Sequence, residues 1–305
     1  MSPHTLSTEQ QALIESLAAR LSRITGMQAI VLGGSYARGR ARPDSDIDLG
    51  LLYRPDVPFS IAEVAAIARE VNDTPDPVVT RFYEWGPWVN GGSWLTIGGQ
   101  RVDFLYKNLD QLEQVIEEAR AGRYDHTYYQ HPPFGFYSDT YLAELETCIP
   151  LYDPRELLAP LKRSIASYPE PLRRRLIQDN VHSAQFDLYS ATKAAEAADP
   201  YLTNACLIRV INRVVHALFA INSRYRSNDK TAFVELGECA LLPQDFCARV
   251  QVVASQVGAT REALFSAVAC VQAIVDETAQ LSAEALVVDE NSPAWLRHFK
   301  KATGH

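Results

Sequence analysis

The chain has no excess of basic charge. Its 29 Lys and Arg are outnumbered by 37 Asp and Glu, for a net charge of -8. A long nucleic-acid partner asks for a basic face, so that class is disfavoured, with tRNA left open. A cationic small substrate suits the balance better. Cysteine is sparse: Cys148, Cys206, Cys239, Cys247 and Cys270 are scattered, with no C-x-x-C pair. That spacing excludes a zinc ribbon or a disulfide frame and suits small buried thiols in a reducing cytoplasm. No unbroken apolar run reaches the about 20 residues of a membrane span. The opening "MSPHTLSTEQQ" lacks the basic start and apolar core of a secretory signal. The expectation is a cytoplasmic protein without a membrane partner. There is no internal repeat and no low-complexity segment. What remains is ordinary globular composition, 47% hydrophobic and 22% charged over 305 residues, with room for two domains.

The first half mixes periods. Ser7 with Gln10 opens a capping box ahead of helical apolar spacing. "MQAIVLGG" reads as a buried strand closed by glycine, and "DIDLGLLY" (Asp46 to Tyr53) as a second strand. A helix is expected near Ile61 to Val71. Short strands follow at Val78 to Tyr83, Ser93 to Ile97 and Arg101 to Tyr106. Gly98-Gly99 marks a hairpin between the last two. Another helix stops at Gly122. From about Pro150 the pattern becomes proline-rich and then purely helical. Segments are expected at Pro171 to Ala198, Leu202 to Tyr225, Pro243 to Val257 and Arg261 to Leu281, with a short tail helix.

The stretch "GGSYARGRARPDSDIDL" carries the chemistry. Its spacing from Gly34 to Gly39 imitates a P-loop, but Arg40 and Ala41 stand where Lys and Ser/Thr belong. A dinucleotide G-x-G-x-x-G is absent too. The reading that fits is a strand ending at Gly33-Gly34, where a missing Cβ admits a ligand to the backbone. Ser35 is expected to cap a short following helix. Free N–H groups at such a turn hold phosphate.

Asp46 and Asp48 then share one face of a strand, since residues two apart point the same way. Paired carboxylates repel unless a cation lies between them, and hard oxygen ligands suit Mg²⁺ bound together with phosphates. A third acid, Asp103, stands between Val102 and Phe104 in "QRVDFLYK". Burying an acid in an apolar strand costs energy without a partner. Three carboxylates brought together make a two-metal site for in-line phosphoryl chemistry.

"GGSYARG", then "SDIDL", then "VDF", over roughly residues 27 to 107, resembles the nucleotidyltransferases of the polymerase beta superfamily. The resemblance implies an α/β domain with a mixed sheet (residues 1–150), followed here by an all-α helical bundle expected to bind the acceptor (residues 151–305). It implies that Asp46, Asp48 and Asp103 bind two Mg²⁺ ions, with Asp103 as base on the acceptor hydroxyl. Gly34 and Ser35 would hold the β- and γ-phosphates, helped by Arg38. "HALFAINSRY" with "DK", His216 to Lys230, resembles a helical domain found behind such units in uncharacterised bacterial proteins. Lys230 is a candidate phosphate contact there. The layout of catalytic domain and helical domain also resembles antibiotic nucleotidyltransferases.

Other features read more plainly. Trp85, Trp88 and Trp94 suggest a loop stapled by aromatic packing, with an aromatic wall for a base or sugar as the alternative. The stripe His182, Gln185, Tyr189, Lys193, Glu196 reads as a solvated helix face. Arg209 and His216 match a loose R-x6-H of helical ribonucleases. The expected activity is transfer of AMP from ATP to a small hydroxyl-bearing acceptor, an aminoglycoside-like antibiotic being one option. The rivals are a toxin-type enzyme modifying tRNA or protein, a nucleotide-binding regulator, and the ribonuclease.

Overall fold

The computed structural model describes residues 6–131, 133–286 and 292–302. The chain divides into two units, residues 1–118 with 124–167 and residues 119–123 with 168–305.

In the first unit, α1 (Thr8–Leu21) starts on the expected capping box. The Gln10 backbone N–H donates to Ser7 Oγ at 3.2 Å, and the Ser7 N–H donates to the Gln10 side chain at 2.9 Å. Then come β1 (Ala29–Leu32), the four-residue α2 (Gly34–Ala37), β2 (Ile47–Tyr53) and α3 (Ile61–Val71). They are followed by β3 (Val78–Val79), β4 (Gly92–Ile97) and β5 (Gln100–Asn108). After α4 (Leu109–Arg120) the chain forms β6 (His126–Thr127), β7 (Phe136–Tyr137), α5 (Thr140–Thr147), β8 (Ile149–Tyr152) and α6 (Leu158–Ser164). Gly122 follows α4 at φ +71°, the left-handed stop that glycine favours.

Six strands form one mixed sheet in the order β3-β4-β5-β2-β1-β8, and β6 with β7 forms a separate ribbon. All neighbours in the large sheet are antiparallel except β2 and β5, which run parallel. Parallel pairing needs a crossover, and α3 lies within it. Alternation splits β5 between two faces. Val102, Phe104 and Tyr106 are buried against Leu17, Leu21, Ile47, Leu49 and Leu51, while Arg101, Asp103, Leu105 and Lys107 take the other face.

The β4–β5 turn is closed by Gly98 (φ +58°) and Gly99 (φ +80°), the pair of positive φ values a two-residue type I′ turn requires. Asp73 clamps it: its carboxylate accepts the Gly98 and Gly99 backbone N–H groups at 2.8 and 2.9 Å. Those bonds hold the Asp73 carboxyl below the ordinary carboxylate range.

Two local expectations change. The N-cap of α2 is Gly33 and not Ser35; the helix begins two residues early, at Gly34, so the serine lies inside its first turn. The proline-rich stretch around Pro150 also carries β8, which pairs with β1 at the sheet edge. Proline is tolerated there because an edge strand leaves one row of N–H groups without a ladder partner.

In the second unit, α7 (Glu170–Glu196) and α8 (Pro200–Ile221) form an antiparallel hairpin. Ala198 turns the corner at φ +55°. Asp199 caps α8 by accepting the Leu202 N–H at 3.0 Å, with Pro200 at the first helical position. The remaining helices are α9 (Ala232–Leu236), α10 (Phe246–Ser255), α11 (Arg261–Ala285) and α12 (Ala294–Ala302). α11 packs on both α7 and α8. By length and composition α8 and α11 are apolar enough to cross a membrane, although polar residues interrupt both. The most apolar stretch of α8 is 67% buried inside the fold and that of α11 44%.

Candidate active site

Asp48 on β2 and Asp103 on β5 are direct partners in the parallel ladder. Their chain neighbours Ile47, Leu49, Val102 and Phe104 are completely buried, so alternation sends both carboxylates to the opposite, open face. Adjacent strands lie about 4.8 Å apart, which sets two anionic side chains next to each other.

The glycine turn stands against this pair. The Gly33 N–H donates to the Asp48 carbonyl at 2.8 Å. Gly34 has φ +59°, and a Cβ there would overlap Asp48 Oδ2. Only glycine lets the α2 backbone approach that carboxylate so closely. Arg38 folds back on the same turn, its Nε donating to the Gly34 carbonyl at 3.2 Å. Tyr36 is buried beneath, and its hydroxyl accepts from Gln10 Nε2 at 2.8 Å. Gln10 also donates to Gln100, and Gln100 donates to the Ser45 carbonyl at 3.1 Å. One glutamine of α1 thereby braces both the turn and the chain entering β2.

Asp46 lies just before β2, level with Arg101 on β5. Arg101 Nε stands 2.5 Å from Asp46 Oδ1, and the Arg101 Nη2 donates to the Asp44 carbonyl at 2.6 Å. Asp46 Oδ1 is itself buried and accepts no well-aligned hydrogen bond, so this contact is an ion pair. Asp46 and Arg101 each stand one residue ahead of the Ile47–Val102 ladder pair, which brings them side by side.

Among the described residues, no three His, Cys, Asp or Glu side chains stand as a ready metal cluster. The donor set nevertheless fits a hard divalent cation. It consists of oxygen ligands alone, two of them directly opposed, with the Gly34 backbone packed against the Asp48 carboxylate.

Residues 14–121 match the nucleotidyltransferase domain family. This part of the chain is a nucleotidyltransferase domain. All of the carboxylates and the glycine turn described above lie inside it. Residues 137–230 match a domain of unknown function, DUF4037. Two solved structures are similar in outline. One is a nucleotidyltransferase-like protein from Exiguobacterium sibiricum, 10% identical, with a TM-score of 0.46 over 92% of this chain and 78% of that one. The other is the CdnE cyclic dinucleotide synthase of Elizabethkingia meningoseptica, solved with GTP and Apcpp, 14% identical, with a TM-score of 0.24 over 100% of this chain and 96% of that one. At such values the family match over residues 14–121 carries the assignment alone. No curated protein sequence matches the chain.

The nucleotidyltransferase domain holds Gly34, Ser35, Arg38, Asp46, Asp48 and Asp103. Lys230 belongs to the second unit, exposed in the turn ahead of α9. Arg209 and His216 also belong to that unit. His216 is 2% exposed, and Arg209 Nε pairs with Asp187 at 3.0 Å, so the R-x6-H pair is not presented to RNA as a surface site. The stripe His182, Tyr189, Lys193, Glu196 is exposed, with Lys193 bound to Glu196 at 2.8 Å. The five cysteines are free, and burial pushes the Cys148 thiol up, away from reactivity.

Sequence reading missed two members of this site, Arg101 as the partner of Asp46 and Trp94 as the neighbour of Asp103. The signal for the second was present. A two-residue turn at Gly98-Gly99 pairs Ile97 with Gln100 and therefore Trp94 with Asp103.

Proposed function

We propose that the nucleotidyltransferase domain moves AMP from ATP to a hydroxyl of a small acceptor and releases pyrophosphate. The observation that carries this reading is the facing pair Asp48 and Asp103 with the Gly34 backbone against Asp48. Asp46, Asp48 and Asp103 would hold divalent metal, Mg²⁺ by the chemistry of their oxygens. Bound there, the metal supplies charge neutralisation at the α-phosphate and at the leaving oxygen.

The chain's own groups do the rest. Backbone N–H groups at Gly34 and Ser35 bind the β- and γ-phosphates, with Arg38 beside them. Asp103 receives the proton of the acceptor hydroxyl as that oxygen bonds to the α-phosphorus. Amino-sugar antibiotics are one option for that acceptor, since a net charge of -8 suits a polycation. The five free thiols suit a cytoplasmic setting.

The test is incubation of the full chain with Mg²⁺, each α-labelled NTP and a panel of acceptors: amino sugars, nucleosides, bulk tRNA and cell lysate. Label transferred by the wild type and not by Asp48→Asn supports the reading. Label on tRNA or on a protein moves the acceptor to the macromolecular class. Label transferred equally by Asp48→Asn overturns the site.

A further inference from the structure

The row that holds the carboxylates does not end at Asp103. Across the sheet, Asp48 pairs with Asp103, Asp103 with Trp94, and Trp94 with Val78. Ladder partners point to one face, so the open face carries two acids and then an aromatic and an aliphatic side chain in line. Trp94 is 55% exposed and Val78 57%. An indole that large left open at a strand centre is uncommon, since tryptophan is highly buried on average.

Trp94 is also held in place. Trp85 stacks on it with ring centroids 4.4 Å apart and planes tilted by 22°. Trp85 lies over Gly92, two residues before Trp94 on the same face, where a Cβ would come within 3.2 Å of Trp85 Cζ3. The result is a fixed two-ring stack beside the carboxylates, about one strand spacing from Asp103 and about two from Asp48.

Direction decides what it serves. The phosphate-binding turn at Gly34 is on the β1 side of Asp48. In-line displacement puts the attacking oxygen opposite the leaving oxygen. With pyrophosphate leaving toward Gly34, the acceptor enters from the Asp103 side, over β4. Chemistry decides what it takes. The neighbours of Trp94 on this face are Val78, Thr96 and, diagonally, the cationic Arg101. Arg101 is already paired with Asp46, so what this part of the surface offers a ligand is chiefly aromatic stacking area.

We propose that Trp94, seated on Trp85, is the acceptor subsite of the nucleotidyltransferase domain and that it takes a nucleoside-type acceptor by stacking its base. This rests on the nucleotidyl-transfer reading above and narrows its acceptor. In the step itself, the acceptor hydroxyl oxygen bonds to the α-phosphorus and its proton passes to Asp103. The bond from the α-phosphorus to the bridging oxygen breaks, and that oxygen leaves with pyrophosphate.

The experiment titrates the full chain, saturated with Mg²⁺ and a non-hydrolysable ATP analogue, with each of the four ribonucleosides and with kanamycin. Tryptophan emission and heat are read together. Nucleoside binding is expected to quench emission, and Trp94→Ala to weaken that binding by roughly 5- to 100-fold, the range of one base–aromatic stack. Trp94→Phe, which keeps a flat ring, is expected to recover most of the affinity and guards against a folding defect. Nucleoside affinity unchanged in Trp94→Ala, no nucleoside binding at all, or kanamycin binding that depends on Trp94 overturns the subsite. Failure of the transfer reading looks different: the ATP analogue then binds no better with Mg²⁺ than without it, or Asp48→Asn leaves that difference intact.

Discussion

Arg101 Nε lies 2.5 Å from Asp46 Oδ1, on the same face as Asp48 and Asp103. The guanidinium neutralises one acid of a site otherwise built from anions. A divalent cation bound by Asp46 has to compete with it. Both partners are partly open to water, at 60% and 39% side-chain exposure, and exposed pairs of this kind are worth about 0.2–1 kcal/mol. Arg101→Ala is therefore expected to tighten Mg²⁺ or Mn²⁺ binding by up to about fivefold at low ionic strength, with the gain shrinking in salt. Calorimetry without nucleotide checks this. Weaker metal binding in the variant would mean that Arg101 orients Asp46 rather than competing for it.

Gly34 and Gly39 make an internal control. Both adopt left-handed backbone, φ +59° and +63°. A Cβ on Gly34 overlaps Asp48 Oδ2, whereas a Cβ on Gly39 meets nothing within 4 Å. Either alanine costs about 1–2 kcal/mol in backbone strain. Only Gly34→Ala also displaces the carboxylate, and misplacing a reacting group by an ångström costs about a hundredfold in rate. The expected result is a similar loss of thermal stability in both variants, with turnover collapsing in Gly34→Ala alone. Equal turnover in the two would remove the Gly34–Asp48 approach from the active site.

Much of this site could be read from the residues themselves. An acid flanked by apolar residues at 47–49 and again at 102–104 announces side chains turned away from a core, and Val102, Phe104, Ile47 and Leu49 are indeed buried. The Gly33-Gly34 break, the capping box at Ser7 and the Gly98-Gly99 hairpin each follow from local backbone chemistry. What escaped is what depends on partners distant in sequence. The parallel pairing of β2 with β5 brings together residues 55 positions apart and gives Asp46 to Arg101. β8 escaped because Pro150 reads as punctuation, although an edge strand tolerates it. Ser35 was misread as a cap because helix starts are uncertain by a residue or two, and here the glycine before it begins the turn.

Asp73 ties the hairpin that aligns Trp94 with Asp103 to acid strength. Its carboxylate accepts two backbone N–H bonds, and its folded pKa is depressed below the ordinary 3.8. A depressed carboxylate contributes stability that is complete above the unfolded value and is lost as pH falls through the folded one. Asp73→Asn, which keeps the shape but not the charge, is expected to melt below the wild type at neutral pH. The gap should close as pH drops below about 3.8. Thermal melts from pH 7 to pH 2.5 follow it, and a gap that stays constant across that range would deny the clamp its charge.

The Asp187–Arg209 pair between α7 and α8 is lopsided. Its nitrogen and oxygen are 3.0 Å apart, but the Asp187 side chain is 12% exposed while that of Arg209 is 59% exposed. Removing one partner matters most when the one left behind is buried and charged. Arg209→Ala leaves a carboxylate in the helix seam; Asp187→Ala leaves an arginine in water. Arg209→Ala is accordingly expected to lower the melting temperature more than Asp187→Ala, and Asp187→Asn to rescue the Arg209→Ala background. A double-mutant cycle read by denaturant unfolding measures this. If Asp187→Ala were the more damaging change, the pair would act through packing of Asp187 in α7 rather than through charge. Nucleotidyl transfer with a nucleoside acceptor should persist in any of these variants that remains folded, because the carboxylates and the glycine turn lie within residues 14–121.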